Sequence, residues 1–561
     1  VISNRAIAGH LERIAQAIDL ADPDSGRSRT YGAAARRIES SKREFADLAQ
    51  AGELTGVPGI GPSLARTIGE FVDNGSSRRL EELLQQIPAG SWQLLSIRGL
   101  GARTVGRIVR DLGVTDLDSL RAAGSDGRLG QLPGIGSRKV AQILAEIERI
   151  AAARGLFSLG AALAAAQLEA TRLRAIDGVS AVHLAGAARR ACETMSGVDL
   201  VVVVRDPDRL ELTALGGETL IQLDPDELRD PVPVRTRVTT EASLGLALAL
   251  ATGSDKHLAQ LTDLARRRGI ELESPETAFE SEAELYRALG LDLVPSELRE
   301  GRDEIELAQR GQLPRLLEHA DLGCDLHAHS DWSDGQDSIA TMAEAAQRAG
   351  LRELVISDHS QSLAVANGLS PERVLAQRSE IAEQGRQFAA LSLLQGTESE
   401  IRIDGSLDFD PDVLDQLDWV IASVHAGLGQ SRSAMTERIL TAISNPATCA
   451  IGHPTGRIVL GREGFDFDHD AVFSAAAEAG VALEINSQPG RLDLSADLAR
   501  RAARAGATLT VNSDAHAAGQ LANTRLGAMI ARRAGLTSAQ VINAWEWERI
   551  AERRARRLTG D

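Results

Sequence analysis

CDLHAHSDWSDG (324–335), ELVISDHS (353–360), LSLLQGTESE (391–400), WVIASVHA (419–426), CAIGHP (449–454) and LTVNSDAH (509–516) are short apolar runs, each broken off by histidine, aspartate or glutamate. With the run near 481–486 they read as seven buried strands, near 322–327, 353–357, 391–396, 418–424, 448–452, 481–486 and 508–512. Helical patterns such as SIATMAEAAQRAG (338–350) and DLARRAARAG (497–506) follow most of them. Strand–helix alternation predicts a parallel sheet with crossover helices, and seven such units predict a closed barrel. In such barrels functional side chains gather at the carboxyl ends of the strands.

At or just beyond those ends stand His327, His329, Asp334, His359, Glu398, His425, His453, Asp514 and His516. Of the 11 histidines, only His10, His183, His257, His319 and His469 fall elsewhere, and these read as packing or surface residues. Imidazoles and carboxylates without thiolates suit zinc, manganese or iron in an open site rather than a closed structural zinc. Clustered cations of this kind activate water and neutralise phosphoryl oxygens. Arg457 in GHPTGR and Arg491 in NSQPGR are candidates to clamp a phosphate, and Asn486, on the strand without a ligand, to orient substrate.

From about residue 320 to 561 the chain closely resembles the PHP (polymerase and histidinol phosphatase) domain. The resemblance rests on His-x-His at 327–329, Asp334 of SDG, Asp358-His359, Gly-x-Glu at 396–398, Ser-x-His at 423–425, Gly-His-Pro at 452–454 and Ser-Asp-x-His at 513–516. It implies a distorted seven-fold (β/α) barrel and two to three divalent metals. One ion would take His327, His329, Glu398 and Asp514; a second would share Glu398 with His425 and His453; a third would take Asp334, His359 and His516.

Three related segments mark the amino-terminal region: LTGVPGIGPSLARTIGEFV (54–72), LLSIRGLGARTVGRIVRDLG (94–113) and LGQLPGIGSRKVAQILAEI (129–147). Each is an apolar helix end, a Gly-x-Gly turn and an amphipathic helix, with the glycine pairs Gly59/Gly61, Gly99/Gly101 and Gly134/Gly136. Glycine lets the backbone turn sharply and approach another surface, and the helix start offers unpaired N–H groups to an anion. Arg66, Arg103, Arg138 and Lys139 add charge nearby. These segments resemble helix-hairpin-helix motifs, which implies backbone contacts to DNA.

Between them, VHLAGAARRACETMSGVDLVVVV (182–204) resembles the nucleotidyltransferase strand pair of family X DNA polymerases, and TGSDKHLAQLTDLARRRGIEL (252–272) with PSELREGRDEIELA (295–308) resembles the thumb of that family. The family's Asp-x-Asp reads Gly197-Val198-Asp199 here, and Arg235 stands at the third carboxylate position. Its Gly-Ser reads Gly186-Ala187, and its paired aromatics align with Leu250 and Ala251. Two-metal chemistry needs those carboxylates, so the expectation is an inactive polymerase core, with Arg189, Arg190 and Asp199 either relics or a salt-bridged surface. Lys42 and Lys139 are the only lysines before residue 151, which leaves few candidates for Schiff-base chemistry.

The division expected is therefore 1–152 for the hairpin region, 153–317 for palm and thumb, and 318–561 for the barrel: a multidomain α plus α/β chain. The formal charge of −18 divides unevenly, with about +2 on residues 1–150 and −20 on the rest. Three isolated cysteines and no signal or membrane-spanning pattern fit a cytoplasmic, nucleoid-associated monomer. The combined arrangement resembles bacterial and archaeal family X DNA polymerases that carry a PHP domain, and that resemblance implies 3′–5′ exonuclease or related 3′-end processing on gapped or nicked DNA. The alternatives are a small-molecule phosphate monoesterase of histidinol-phosphatase type, residual DNA synthesis, or a non-enzymatic repair scaffold.

Overall fold

The computed structural model describes every residue except 1, 40, 42, 98, 207–214, 216, 224–229, 275 and 561, so Lys42 lies outside the described residues. The chain forms two compact units, Val1–Arg154 and Gly155–Asp561.

The first unit is helical. Ile7, Leu11, Ile14 and Ile18 recur every three to four residues along helix Asn4–Ala21, so they form one stripe, and all are buried. Gly106 lets helix Ala102–Leu112 close on that helix, because a Cβ there would lie 2.3 Å from the Asp19 carbonyl oxygen. The three hairpins share one construction. Gly59, Gly99 and Gly134 turn with φ of +87°, +82° and +83°. Ile60, Leu100 and Ile135 then plug into the core, and Gly61, Gly101 and Gly136 begin helices Pro62–Asn74, Ala102–Leu112 and Ser137–Ala153 without a side-chain cap. All six glycines are exposed.

The second unit opens with a four-stranded sheet of β1 (Val179–Ala185), β2 (Val198–Val204), β3 (Gly217–Ile221) and β4 (Val232–Thr239). Its order is β1-β2-β4-β3, with only β2 and β4 parallel. The run Leu200–Val204 is buried throughout because β2 is internal and helix Leu159–Arg174 covers it.

Seven parallel strands follow: β5 (Cys324–Ala328), β6 (Glu353–Ile356), β7 (Ser392–Glu400), β8 (Trp419–Ser423), β9 (Ala450–Ile451), β10 (Ala482–Asn486) and β11 (Leu509–Asn512). They pair in chain order, and the barrel is nearly closed. β5 and β11 meet through side-chain amides instead of a full ladder: Leu326 N–H donates to Asn512 Oδ1 at 3.2 Å, and Val511 N–H to Asn543 Oδ1 at 2.7 Å. Beyond β11, His329 N–H donates to the Ala515 carbonyl at 2.8 Å. Two strands depart from the expected spans. β9 has only two residues: it starts two residues later than expected, at Ala450, and ends at Ile451, just before the turn at His453, whose φ is +28°. β7 runs on to Glu400, paired with Ser423, so Glu398 lies inside its strand and not past the end. Palm and barrel residues belong to one continuous core that includes Leu159, Val202, Leu492 and Ile485.

Candidate metal centre

His327 and His329 stand two residues apart on and just past β5, so the pleat sends both rings to the same face, the barrel interior. β7 delivers Glu398 to the middle. His359 Nδ1 is 3.0 Å from Glu398 Oε2, and His327 Nε2 is 3.3 Å from the same oxygen. Glu398 Oε1 faces His453 Nε2 at 2.8 Å and His425 Nε2 at 3.3 Å. Asp514 Oδ1 lies 3.2 Å from His329 Nε2 and 3.5 Å from His327 Nε2. Asp334 Oδ2 lies 3.5 Å from His516 Nε2 and 3.6 Å from His359 Nε2. Thus all nine side chains picked from the sequence gather on one rim.

Three subsets present ligand atoms within 4.8 Å of one another: His329/Asp334/His359/His516, His327/His329/Asp514, and His359/Glu398/His425. His453 stands outside these subsets and hydrogen-bonds to Glu398. The donor atoms fit cations on two counts. Their spacing is near the ~3.4 Å edge of a tetrahedron built on bonds of about 2.1 Å. In addition, His327 Nε2, both nitrogens of His329, and His359 Nδ1 are buried without a hydrogen bond, which would be costly were nothing to pair them.

The electrostatics are those of a cation site. Burial opposes charge on Glu398 and Asp514, yet the histidines around them outweigh it and hold both carboxyls well below the usual range. Burial, reinforced by repulsion from His516 and His359, pushes His329 down to about 3 and keeps that ring neutral. At His359 burial is overcome by Glu398 and Asp334, which lift the pKa to about 10.

Sequence reading missed the residues that aim the ligands. Glu484, fully buried on β10, accepts from His327 Nδ1 at 2.8 Å, from Asn512 Nδ2 at 2.8 Å and from the His453 N–H at 2.7 Å. Glu400 takes His425 Nδ1 at 2.8 Å and is held by the buried Arg438 at 3.2 Å. Anchoring Nδ1 leaves Nε2 of each ring turned inward. The available signal was a charge inside an otherwise apolar strand, VALEIN at 481–486. Glu484→Ala is therefore expected to weaken metal binding about 10- to 100-fold while the barrel stays folded, read by competition with a chelating dye.

The three other site candidates separate. Arg491 faces the centre, its Nε 3.8 Å from Asp514 Oδ2. Asn486 orients a ligand, donating to Asp514 Oδ2 at 2.9 Å. Arg457 has its guanidinium engaged by the protein: its Nη1 meets Glu193 Oε2 at 3.0 Å, its Nε donates to the Arg491 carbonyl at 3.1 Å, and its Nη2 donates to the Leu492 carbonyl. In the palm, Asp199 pairs in register with Arg235, whose Nε is 2.9 Å from Asp199 Oδ1. At Gly197 a Cβ would meet the Pro233 carbonyl oxygen at 2.8 Å, so no side chain fits there without a shift. Arg189 is held by Glu282 at 2.6 Å and Arg190 by Glu300 at 2.7 Å.

Residues 2–77 match the family described as "Helix-hairpin-helix domain", residues 93–149 "SAM-like Helix-hairpin-helix tandem", and residues 325–488 "PHP domain". Over 553 residues, 95% of this chain and 96% of the relative, it is 33% identical to the DNA polymerase/3′–5′ exonuclease PolX of Bacillus subtilis. The chain belongs to the PolX family. Beside that full-length PolX match stand shorter ones to probable phosphatases. That of Vibrio atlanticus is 32% identical over 40% of this chain and 89% of its own length. That of Photobacterium profundum is 30% identical over 36% and 80%. No described helix of this PolX-family chain is long and apolar enough to cross a membrane.

Proposed function

We propose that this chain is a DNA-repair phosphoesterase, trimming 3′ ends at gaps and nicks as a 3′–5′ exonuclease. The barrel would do the chemistry, and the hairpins and palm would hold the DNA. In this reading the hairpin region is 1–152, the palm and thumb 153–317 and the barrel 318–561, the last two lying, from Gly155 onward, within the second compact unit. The observation that carries the reading is the convergence of nine candidate ligand side chains, Glu398 and Asp514 among them, on one rim, in a chain where Asp199 is paired with Arg235.

His327, His329, Asp334, His359, Glu398, His425, His453, Asp514 and His516 would hold two to three manganese or zinc ions, with iron a third choice. When bound, such ions supply Lewis acidity and a water of lowered pKa. The chain's own groups do the rest. Arg491 presents its guanidinium beside Asp514, where it can take a phosphoryl oxygen. Asn486 fixes the Asp514 carboxylate, and Glu484 and Glu400 fix the rings of His327 and His425. His327, His329, Glu398, His453 and Asp514 are buried, while Asp334 and His516 stand on the exposed side, where a substrate phosphate would enter.

The test is release of nucleotide from 3′-labelled gapped DNA by the purified chain with manganese, run beside primer extension on the same substrate. Nuclease activity without extension is expected, and Asp199→Ala should change neither result. Extension abolished by Asp199→Ala would overturn the inactive-palm reading. The phosphatase relatives favour one second reading, hydrolysis of a small phosphate monoester. A chain that cleaves such an ester and leaves DNA intact would establish it.

A further inference from the structure

The segment Ser487–Leu492 leaves the barrel at the end of β10 and returns at Asp493, where Asn486 and Asp493 exchange backbone hydrogen bonds of 2.5 and 3.2 Å. Arg491 rides near its tip. A loop closed only at its neck would let a long side chain wander, yet this one is gripped from outside the neck. Gly490 accepts from Val459 N–H at 2.7 Å, and Arg457 holds the carbonyls of Arg491 and Leu492.

Arg457 is in turn fixed by the palm. Glu193 Oε2 takes its Nη1 at 3.0 Å, while Glu193 Oε1 accepts the N–H of Ala496 at the start of helix Ala496–Arg504, at 2.8 Å. The Glu193 carbonyl accepts from Leu159 N–H at 3.0 Å, which ties this carboxylate to the head of helix Leu159–Arg174. A second contact is independent of charge. A Cβ on Gly160 would lie 3.0 Å from Pro489 Cβ, so the palm helix is packed directly on the loop.

We infer that the palm is a positioning partner of the metal centre: Glu193 through Arg457, and Gly160 against Pro489, seat the 487–492 loop so that Arg491 stands ready for a substrate phosphoryl oxygen. This rests on the phosphoesterase reading for its consequence, though not for the brace itself. It gives the palm a task that needs none of the polymerase carboxylates. Glu193 and Arg457 are positioning residues, and Arg491 is the group that would touch substrate.

The experiment uses the full chain with manganese and two readouts. In hydrogen exchange, Glu193→Ala is expected to speed exchange of the Val459 and Arg491 amides at least about tenfold while amides of β7 and β8 stay as they were. Glu193→Gln keeps an acceptor for Ala496 and loses the charge facing Arg457. It should show the same change in weaker form, which guards against misfolding of the alanine variant. On 3′-labelled gapped DNA, Glu193→Ala and Arg491→Ala should each lower kcat/KM by about ten- to a hundredfold. The double variant should be no worse than Arg491→Ala alone, because the two act through one group. Unchanged exchange at Val459 and Arg491 would overturn the brace, and losses that multiply would overturn the link to Arg491. A wild-type chain inert on DNA but with the predicted exchange pattern would remove the nuclease reading and leave the brace standing.

Discussion

Glu398→Ala is expected to lower manganese-dependent cleavage of 3′-ended DNA by at least about a thousandfold, roughly 4 kcal/mol of transition-state stabilisation. The size follows from the place of this carboxylate. Its two oxygens face four imidazoles, of His327, His359, His425 and His453, at 2.8–3.3 Å, so on the proposed ligand set its removal would strip a ligand from more than one cation position. Glu398 is 1% exposed, so solvent cannot substitute for the missing carboxylate without rearrangement. Bound manganese per chain, measured by elemental analysis after gel filtration, should fall together with activity. Glu398→Gln, which preserves shape and loses charge, should fall nearly as far. A Glu398→Ala chain that keeps both its metal and its turnover would show that the reaction occurs elsewhere.

The nine side chains that gather on the rim were legible because each sits in a short local pattern in or just beyond an apolar strand. β10 and β11 carry their polar residues where the pleat turns them inward, and the pattern of apolar residue, then histidine or aspartate, survives in one dimension. The residues that make the site rigid were not legible for the opposite reason. Glu484 acts on His327, 157 residues away, and Asn543 substitutes for a ladder to Cys324 across 219 residues. The ion pair of Arg457 was equally hidden: GHPTGR places it near a candidate ligand, while its partner Glu193 lies 264 positions upstream. The hairpins were readable from glycine spacing, since only a residue free of Cβ takes the φ near +85° seen at Gly59, Gly99 and Gly134. The shortening of β9 could be anticipated only in part: Pro454 signals the exit, but the left-handed backbone of His453 carries no such mark.

Removal of residues 1–154 is expected to lower kcat/KM on gapped DNA about a hundredfold at about 50 mM salt, with turnover of a small phosphate ester unchanged. The cut falls at the boundary between the two compact units, and the removed one has its own core of Ile7, Leu11, Ile14, Ile68, Val105 and Ile143. What is lost is a set of three exposed helix starts opened by Gly61, Gly101 and Gly136, a geometry that offers backbone N–H groups to phosphates without reading bases. Because such contacts displace counterions, salt dependence is the sharper readout. Each phosphate given up should flatten the slope of log kcat/KM against log salt by about 0.7–0.9, whereas kcat at saturating DNA should move by less than about threefold. The remaining chain, residues 155–561, is strongly acidic, which makes the hairpin unit the natural counterweight to repulsion between −21 of formal charge and the DNA backbone. Equal DNA turnover by full and shortened chains across the whole salt range would mean that the hairpins take no part in holding substrate, and the small-ester reading would then gain what the nuclease reading lost.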